Sequence, residues 1–430
     1  MTIEVSKTGA NPTWQEALRA WGKIGFLSFG GPAAQIALMH KIVVEEKGWL
    51  KEQQFLNALN FCMLLPGPEA MQLATYAGWR MQGVIGGLVA GLLFVLPGAI
   101  IIAALASLYA AFGQVEFVQA LFVGVKAAVI IIVIEALIKV SKRALTSRSS
   151  WVLAGLAFVG LFVFSIPFPV VIACAALYGF LFMTTSVGHD SDGLSRKTPS
   201  VASTAMTVAV WLAVWTLPVF LLWLAGGEAL LTELALFFSK LAVVTFGGAY
   251  AVLAYMVQDV VQANNWLTAE EMADGLGLAE TTPGPLILVT EFVGFIAAEK
   301  AGGFWLGLSG AVVTLWVTFA PCFLWIFAGA PYVEWISSQP RLRGALAAIT
   351  AAVVGVILNL SLWFAIHVFF AETNLFSARP FSMTLPVFAS LDVRLPLLAL
   401  AAGVMLIGLR WNLLLVLMLC AIGGVAVSAV

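Results

Sequence analysis

From residue 15 onward the chain is a succession of long apolar runs separated by short clusters of charged or turn-forming residues. Runs bounded in this way fall near 15–37, 54–78, 83–112, 116–140, 151–166, 168–186, 206–226, 234–257, 271–298, 303–330, 344–370, 394–409 and 411–429. The stretch Val84 to Phe112 contains no charged residue, and a bilayer crossing needs only about 20 apolar residues. The pattern predicts an all-α polytopic membrane protein with roughly 10–13 membrane segments. Several runs, 15–37 and 54–78 among them, are too interrupted by Gly and Pro to be plain helices. Two interior segments are hydrophilic, 371–393 and 187–203; the second, with His189, Asp190, Asp192, Arg196 and Lys197, reads as a linker.

The chain also repeats itself. A shift of 217 residues places Lys23 on Lys240, Phe29-Gly30-Gly31 on Phe246-Gly247-Gly248, Trp49-Leu50 on Trp266-Leu267, and Pro66-Gly67-Pro68 on Pro283-Gly284-Pro285, with no gap. Further on the offset becomes 224, pairing Pro97 with Pro321 and Lys126-Ala127-Ala128-Val129 with Thr350-Ala351-Ala352-Val353. The matches concentrate on Gly, Pro and Trp, which chance agreement between apolar segments would not do. Residues 1–186 are therefore read as one copy and 227–430 as a second, with 187–226 holding the linker and an unpaired span. Loop charges set their relative direction. In the first copy the basic loop (Lys139, Lys142, Arg143, Arg148) follows the 116–140 span; in the second, Arg341 and Arg343 precede the equivalent span. Basic loops stay cytoplasmic, so the copies are expected to be inverted repeats with broken or re-entrant helices, an architecture common in secondary transporters.

The interruptions are the candidate site. Phe29-Gly30-Gly31-Pro32 and Phe246-Gly247-Gly248 could break a helix and present a new N-terminus, whose free N–H groups and partial positive charge suit an oxyanion; alternatively the glycines only let two helices pack closely. Two prolines flanking Gly67, and two flanking Gly284, cannot sit in a continuous helix. The carbonyls they free must face protein or a watery cavity, or the turns are purely structural. Near the first lie Glu69, Gln72 and Thr75, and near the second Glu280, Thr281, Thr282, Thr290 and Glu291. Lys23 and Lys240 share one repeat position and are candidate anion-attracting cations, as is Lys126. Lys126 and Glu135 are nine residues apart in one span and are expected to face other partners; Glu135 is either a carrier of a coupled proton or half of a structural pair. Arg19 and Arg80 lie near span ends, where they could snorkel to the interface.

Composition narrows the function. The chain is 62% hydrophobic and 10% charged, against about 25% charged in a soluble protein. Its formal charge of −1, from 21 basic and 22 acidic residues, gives no reason to expect a nucleic-acid partner. Cys62, Cys174, Cys322 and Cys420 each stand alone in apolar runs and read as core residues, and His40, His189 and His367 show no metal spacing, so neither metal nor cofactor is expected. No phosphate-binding loop of the ATPase type is present. The N-terminus lacks a signal-peptide pattern. Transport remains the simplest use for a polar interior, with a passive anion channel and a membrane-embedded enzyme as rivals.

Phe29-Gly30-Gly31-Pro32, Gly48-Trp49-Leu50 and Leu65-Pro66-Gly67-Pro68, with their second-copy equivalents, make the chain resemble the chromate ion transporter family in its long, two-domain form, over nearly its whole length. The resemblance implies a multi-pass secondary transporter of the bacterial inner membrane that exports chromate, a tetrahedral oxyanion shaped like sulfate, and confers chromate resistance. Sulfate transport, proton coupling and a homodimer are left open by the sequence. The second copy departs in replacing Pro32 by Ala249, Gly48 by Asn265 and Glu69 by Leu286, so the two halves are not expected to contribute equally.

Overall fold

A computed structural model describes residues 12–183, 200–224, 226, 228–246, 249–333, 339–378 and 381–428. The linker reading at 187–199, the first eleven residues and Gly247-Gly248 lie outside the described residues. Sixteen α-helices and one β-hairpin account for most of the rest.

The interrupted runs are broken helices. The run read at 15–37 is α1 (Trp14–Leu27) and α2 (Gly31–His40), and α2 ends in a π-helical turn, Lys41–Glu46. The run at 54–78 is α3 (Glu52–Cys62), a non-helical passage through Pro66-Gly67-Pro68, and the start of α4 (Glu69–Phe112). Then follow α5 (Glu116–Ala144), α6 (Arg148–Phe162), α7 (Phe168–Phe182) and the unpaired α8 (Val201–Leu224). The second copy restarts with α9 (Ala229–Val244), α10 (Ala249–Met256), a π-helical turn at Val257–Ala263, α11 (Ala269–Thr281), α12 (Val289–Gly302), α13 (Phe304–Gly329) and α14 (Pro340–Phe369). It closes with α15 (Arg394–Gly403) and α16 (Leu413–Ser428). The hydrophilic segment 371–393 is not featureless: β1 (Thr373–Ala378) and β2 (Phe381–Pro386) pair antiparallel, from Thr373 opposite Pro386 to Ala378 opposite Phe381. By length and composition α4, α5, α8, α13 and α14 can each cross a membrane, and α6, α7, α15 and α16 are shorter apolar helices. The protein is a multi-pass membrane protein.

The duplication persists in local detail. In both copies the π-helical turn is closed by equivalent bonds: Trp49 N–H donates to the Val43 carbonyl and Trp266 N–H to the Val260 carbonyl, each at 2.9 Å. The residue before each Trp is left-handed, Gly48 at φ 59° and Asn265 at φ 52°. Asn is among the few non-glycine residues that enter this region readily, so the Gly-to-Asn departure between copies preserves the backbone. A kink at Gln82–Gly83 inside α4 matches the gap at Gly303 between α12 and α13, and Pro97 and Pro321 both lie within the helix that follows.

Two compact units cut across the copies. Unit 1 comprises residues 1–104, 187–248 and 282–339. Within it α13 packs on α12, α9 and α8. Small residues bring backbones together: a side chain on Gly310 would strike the Gly294 carbonyl, and one on Gly25 the Leu93 carbonyl. Trp21, Phe61, Phe94, Phe238 and Phe292 fill its interior. Unit 2 comprises 105–186, 249–281 and 340–430. In it α14 packs on α5, α6 and α7, while α11, α15 and α16 lie against α5. The hairpin is tied to the end of α6 by Ser382 N–H donating to the Val163 carbonyl at 2.9 Å.

Candidate functional site

Within unit 1 the four chain breaks are joined in two crossed pairs. Gly67 N–H, in the first Pro-Gly-Pro, donates at 2.9 Å to the carbonyl of Thr245, the residue before Phe246. Gly284 N–H, in the second, donates at 2.9 Å to the carbonyl of Ser28, the residue before Phe29. Ser28 and Thr245 are themselves equivalent under the 217-residue shift, as are Gly67 and Gly284. Each copy's Phe-Gly-Gly approach is thus completed by the other copy's Pro-Gly-Pro. The chain leaves the helix the same way in both: Phe29 N–H bonds to the Leu27 carbonyl and Phe246 N–H to the Val244 carbonyl. The Ser28 hydroxyl donates back to the Ile24 carbonyl, and the Thr245 hydroxyl to the Leu241 carbonyl. Gly67 and Gly284 have φ of 114° and 93°, a left-handed geometry that proline neighbours on both sides cannot relieve. Packing is tight as well, since a side chain on Gly98 would strike the Pro283 carbonyl.

Two buried glutamines of the first copy hold this crossing. Gln35 Nε2 donates to the Gly284 carbonyl at 2.6 Å and to the Ser28 carbonyl at 3.3 Å. Gln72 Nε2 donates to the Pro66 carbonyl at 2.7 Å. Both amide oxygens, and Oε2 of Glu291 in the first turn of α12, are buried without a hydrogen-bond partner. Such acceptors mark a place where a donor is wanted, whether water, a proton or a ligand hydroxyl. Thr75, Thr282, Thr290, Thr314 and Thr318 are buried in the same unit. The equivalents of Gln35 and Gln72 in the second copy are Val252 and Val289, so the amide lining comes from one copy only.

The remaining predicted residues divide. Pro32 stands in the first turn of α2 behind Gly30 and Gly31, both left-handed, so a helix does begin inside the run. Glu69 is half-buried at the start of α4, directly after Pro68. Pro68, Pro283 and Pro285 are buried, Pro66, Phe29 and Phe246 half-buried. Lys23 is 55% exposed and lies 3.9 Å from Glu46, and Lys240 is exposed on α9; neither enters the buried crossing. Thr281 ends α11 with its hydroxyl bonded to the Leu278 carbonyl, and belongs to unit 2. Lys126 belongs to unit 2 too, and its partner is Asp274 on α11 at 3.6 Å, a residue the sequence reading did not single out. Tyr109 O–H donates to the other oxygen of Asp274 at 2.8 Å. Glu135 pairs with Lys139 at 2.6 Å, so Lys126 and Glu135 do face different partners. Tyr250 O–H donates to Glu280 at 2.9 Å. The signal that could have found Asp274 is its departure from the first copy, where Asn57 stands at the equivalent position.

Broken helices closed by a buried polar crossing define a helical membrane protein with a polar interior, a feature that suits solute transport. The sequence pattern of the chromate transporter family matches residues 15–180 and 232–425, and the chain belongs to that family. It is 33% identical over 344 residues to the chromate transport protein of Pseudomonas aeruginosa, covering 78% of this chain and 77% of that one. To a probable chromate transport protein of Synechococcus elongatus it is 30% identical over 338 residues, 78% of this chain and 80% of the relative. An uncharacterized transporter of Bacillus subtilis, 28% identical over 158 residues, takes up 36% of this chain but 89% of its own length, about the extent of one copy. No solved structure matches the chain.

Proposed function

We propose that the protein is a secondary transporter that moves a tetrahedral oxyanion, chromate first, outward across the bacterial inner membrane and thereby confers chromate resistance. Family membership supports the substrate, and one observation supports the mechanism: the reciprocal bonds of Gly67 to Thr245 and of Gly284 to Ser28. In this reading the copies 1–186 and 227–430, joined by 187–226, are inverted with respect to each other. The reversed order of basic loops and the exchange of equal bonds between equivalent residues both favour that. A centre of this kind has two near-equivalent arrangements, which alternating access requires.

The N-termini of α2 and α4, behind Gly30-Gly31-Pro32 and Pro66-Gly67-Pro68, supply N–H donors and positive partial charge to the anion. Thr282, Thr290 and Gln72 supply the polar lining, and the acceptor oxygens of Gln72 and Gln35 hold the water that accompanies it. Lys23 and Lys240, exposed on α1 and α9, raise the local anion concentration rather than contact the bound ion. A membrane potential negative inside favours outward movement of an anion by about 2.3 kcal/mol per charge per 100 mV. Sulfate as a second substrate fits the same site.

Counterflow in proteoliposomes tests the reading. Chromate or sulfate on the far side is expected to accelerate uptake of labelled chromate. Flux without that acceleration would replace the carrier by a channel, and no oxyanion flux at all would end the proposal.

A further inference from the structure

Unit 2 holds a charged cluster that the crossing does not use. Lys126 on α5 and Asp274 on α11 are 17% and 8% exposed at their side chains and 3.6 Å apart. Tyr109, at the end of α4, donates to Asp274 Oδ2 at 2.8 Å. Beside them lies a cavity of about 130 Å³ whose lining includes Lys126, Glu270, Ala273, Phe364, His367 and Leu395. That is room for several waters or for one tetrahedral anion with water beside it. A ring nitrogen of His367, Nδ1, bonds to the Trp363 carbonyl at 2.9 Å, which leaves Nε2 as its second polar atom.

The charges around Asp274 can be counted. Lys126 comes from α5, Tyr109 from α4, Glu270 from α11 itself and His367 from α14 across the cavity. Other charges near it have partners: Glu271 on α11 accepts from Thr268 N–H and Glu280 from Tyr250, Glu135 on α5 pairs with Lys139, and Asp259 of the π-helical turn pairs with Tyr255. One ammonium therefore faces two carboxylates, and an anion has no electrostatic reason to enter. A single proton on Asp274 changes that, because it removes the paired, buried carboxylate and leaves the partly buried ammonium with only the exposed Glu270 for balance, so an incoming anion gains an unpaired charge to bind. The pair exists once only, for the repeat equivalents of Asp274 and Lys126 are Asn57 and Thr350.

We propose that this cavity is a proton-linked anion subsite in which Asp274 is the proton acceptor and Lys126 the anion ligand. A proton binds the Asp274 carboxylate, which stands behind Lys126 rather than in the cavity lining, and the Lys126 ammonium is handed from the carboxylate to an oxygen of the anion in the cavity. Loss of the proton re-forms the ion pair and expels the anion, while Tyr109 stays bonded to Asp274 throughout. The inference rests on the oxyanion reading above and adds to it the groups that couple proton to anion.

Chromate binding to purified protein in lipid nanodiscs, titrated calorimetrically on both sides of neutrality in buffers of differing ionisation enthalpy, tests it. The wild type is expected to bind more tightly on acidification, by up to about tenfold per pH unit, with a proton taken up per anion. D274N is expected to lose both the proton uptake and the pH slope that exceeds chromate's own ionisation. K126Q is expected to bind at least about tenfold more weakly at every pH, the loss of one charge-assisted contact. Y109F, which keeps the ion pair, is expected to displace the pH profile and supplies a second readout where D274N does not fold. Wild-type proton uptake in D274N, or wild-type affinity in K126Q, overturns the subsite. A wild type that binds no chromate overturns the oxyanion reading as well, so the two failures are told apart.

Discussion

The crossing in unit 1 and the cluster in unit 2 solve the problem of polarity in a membrane by opposite means. The crossing is built from backbone: Gly67, Gly284, Ser28 and Thr245 exchange neutral bonds, and two glutamines donate to carbonyls of the two Pro-Gly-Pro turns. Both copies contribute equivalent atoms. The cluster is built from charge: Lys126 and Asp274, held by Tyr109, each from a position that is neutral in the other copy. Neutral, duplicated geometry suits a part that must interconvert between like states, whereas a single charged pair suits a part that must respond to an ion.

Substitutions at the crossing are expected to have the largest effects. Gly67→Ala places a methyl 2.9 Å from Cys322 Sγ and 3.0 Å from Gln72 Nε2 at φ 114°, and should cost about 3 kcal/mol or prevent assembly, read as thermal stability in detergent. Gly284→Ala keeps the strain of φ 93° but makes its closest contact with the flexible end of Leu288, at 3.1 Å, with backbone atoms of Gly98 and Phe94 at 3.5 and 3.6 Å, and should cost less than Gly67→Ala; equal losses would remove the distinction between the two turns. Next comes Gln35→Leu, which strips a donor from two buried carbonyls and is expected to cost about 1–3 kcal/mol with a matching loss of transport. Gln72→Leu frees one carbonyl and should cost less. Asn265→Ala should destabilise by about 1 kcal/mol while Gly48→Asn is tolerated, since both positions are left-handed and Asn already serves in one copy. Smallest are Lys23→Ala and Lys240→Ala. Stability should change by less than about 0.5 kcal/mol. Anion uptake should fall about twofold at low ionic strength, and the difference should vanish in high salt. A salt-independent loss would place these lysines in direct contact with the anion instead.

Much of this was legible before any coordinates. Helix-breaking pairs such as Pro66-Gly67-Pro68 act locally, so α3 ends and α4 begins where proline chemistry says they must. The 217-residue shift is carried by Gly, Pro and Trp, the residues whose roles are backbone geometry, and it reappears as paired π-helical turns and paired left-handed residues. What could not be read is partner choice at a distance. Nothing local says that Gly67 bonds to Thr245 rather than to its own copy, or that Lys126 finds an aspartate 148 positions away. The β-hairpin at 373–386 was also hidden, because Leu375, Phe376, Phe381 and Leu385 are exposed and leave no inward-facing alternation to detect.

Because, among the described residues, the Gly67 amide is met by Thr245, and the Ser28 carbonyl by Gly284 and Gln35, neither half of the polypeptide finishes its own centre. A chain severed between the halves should therefore behave as two dependent fragments: each inert and prone to degradation by itself, the two together reconstituting a working particle when made in the same cell.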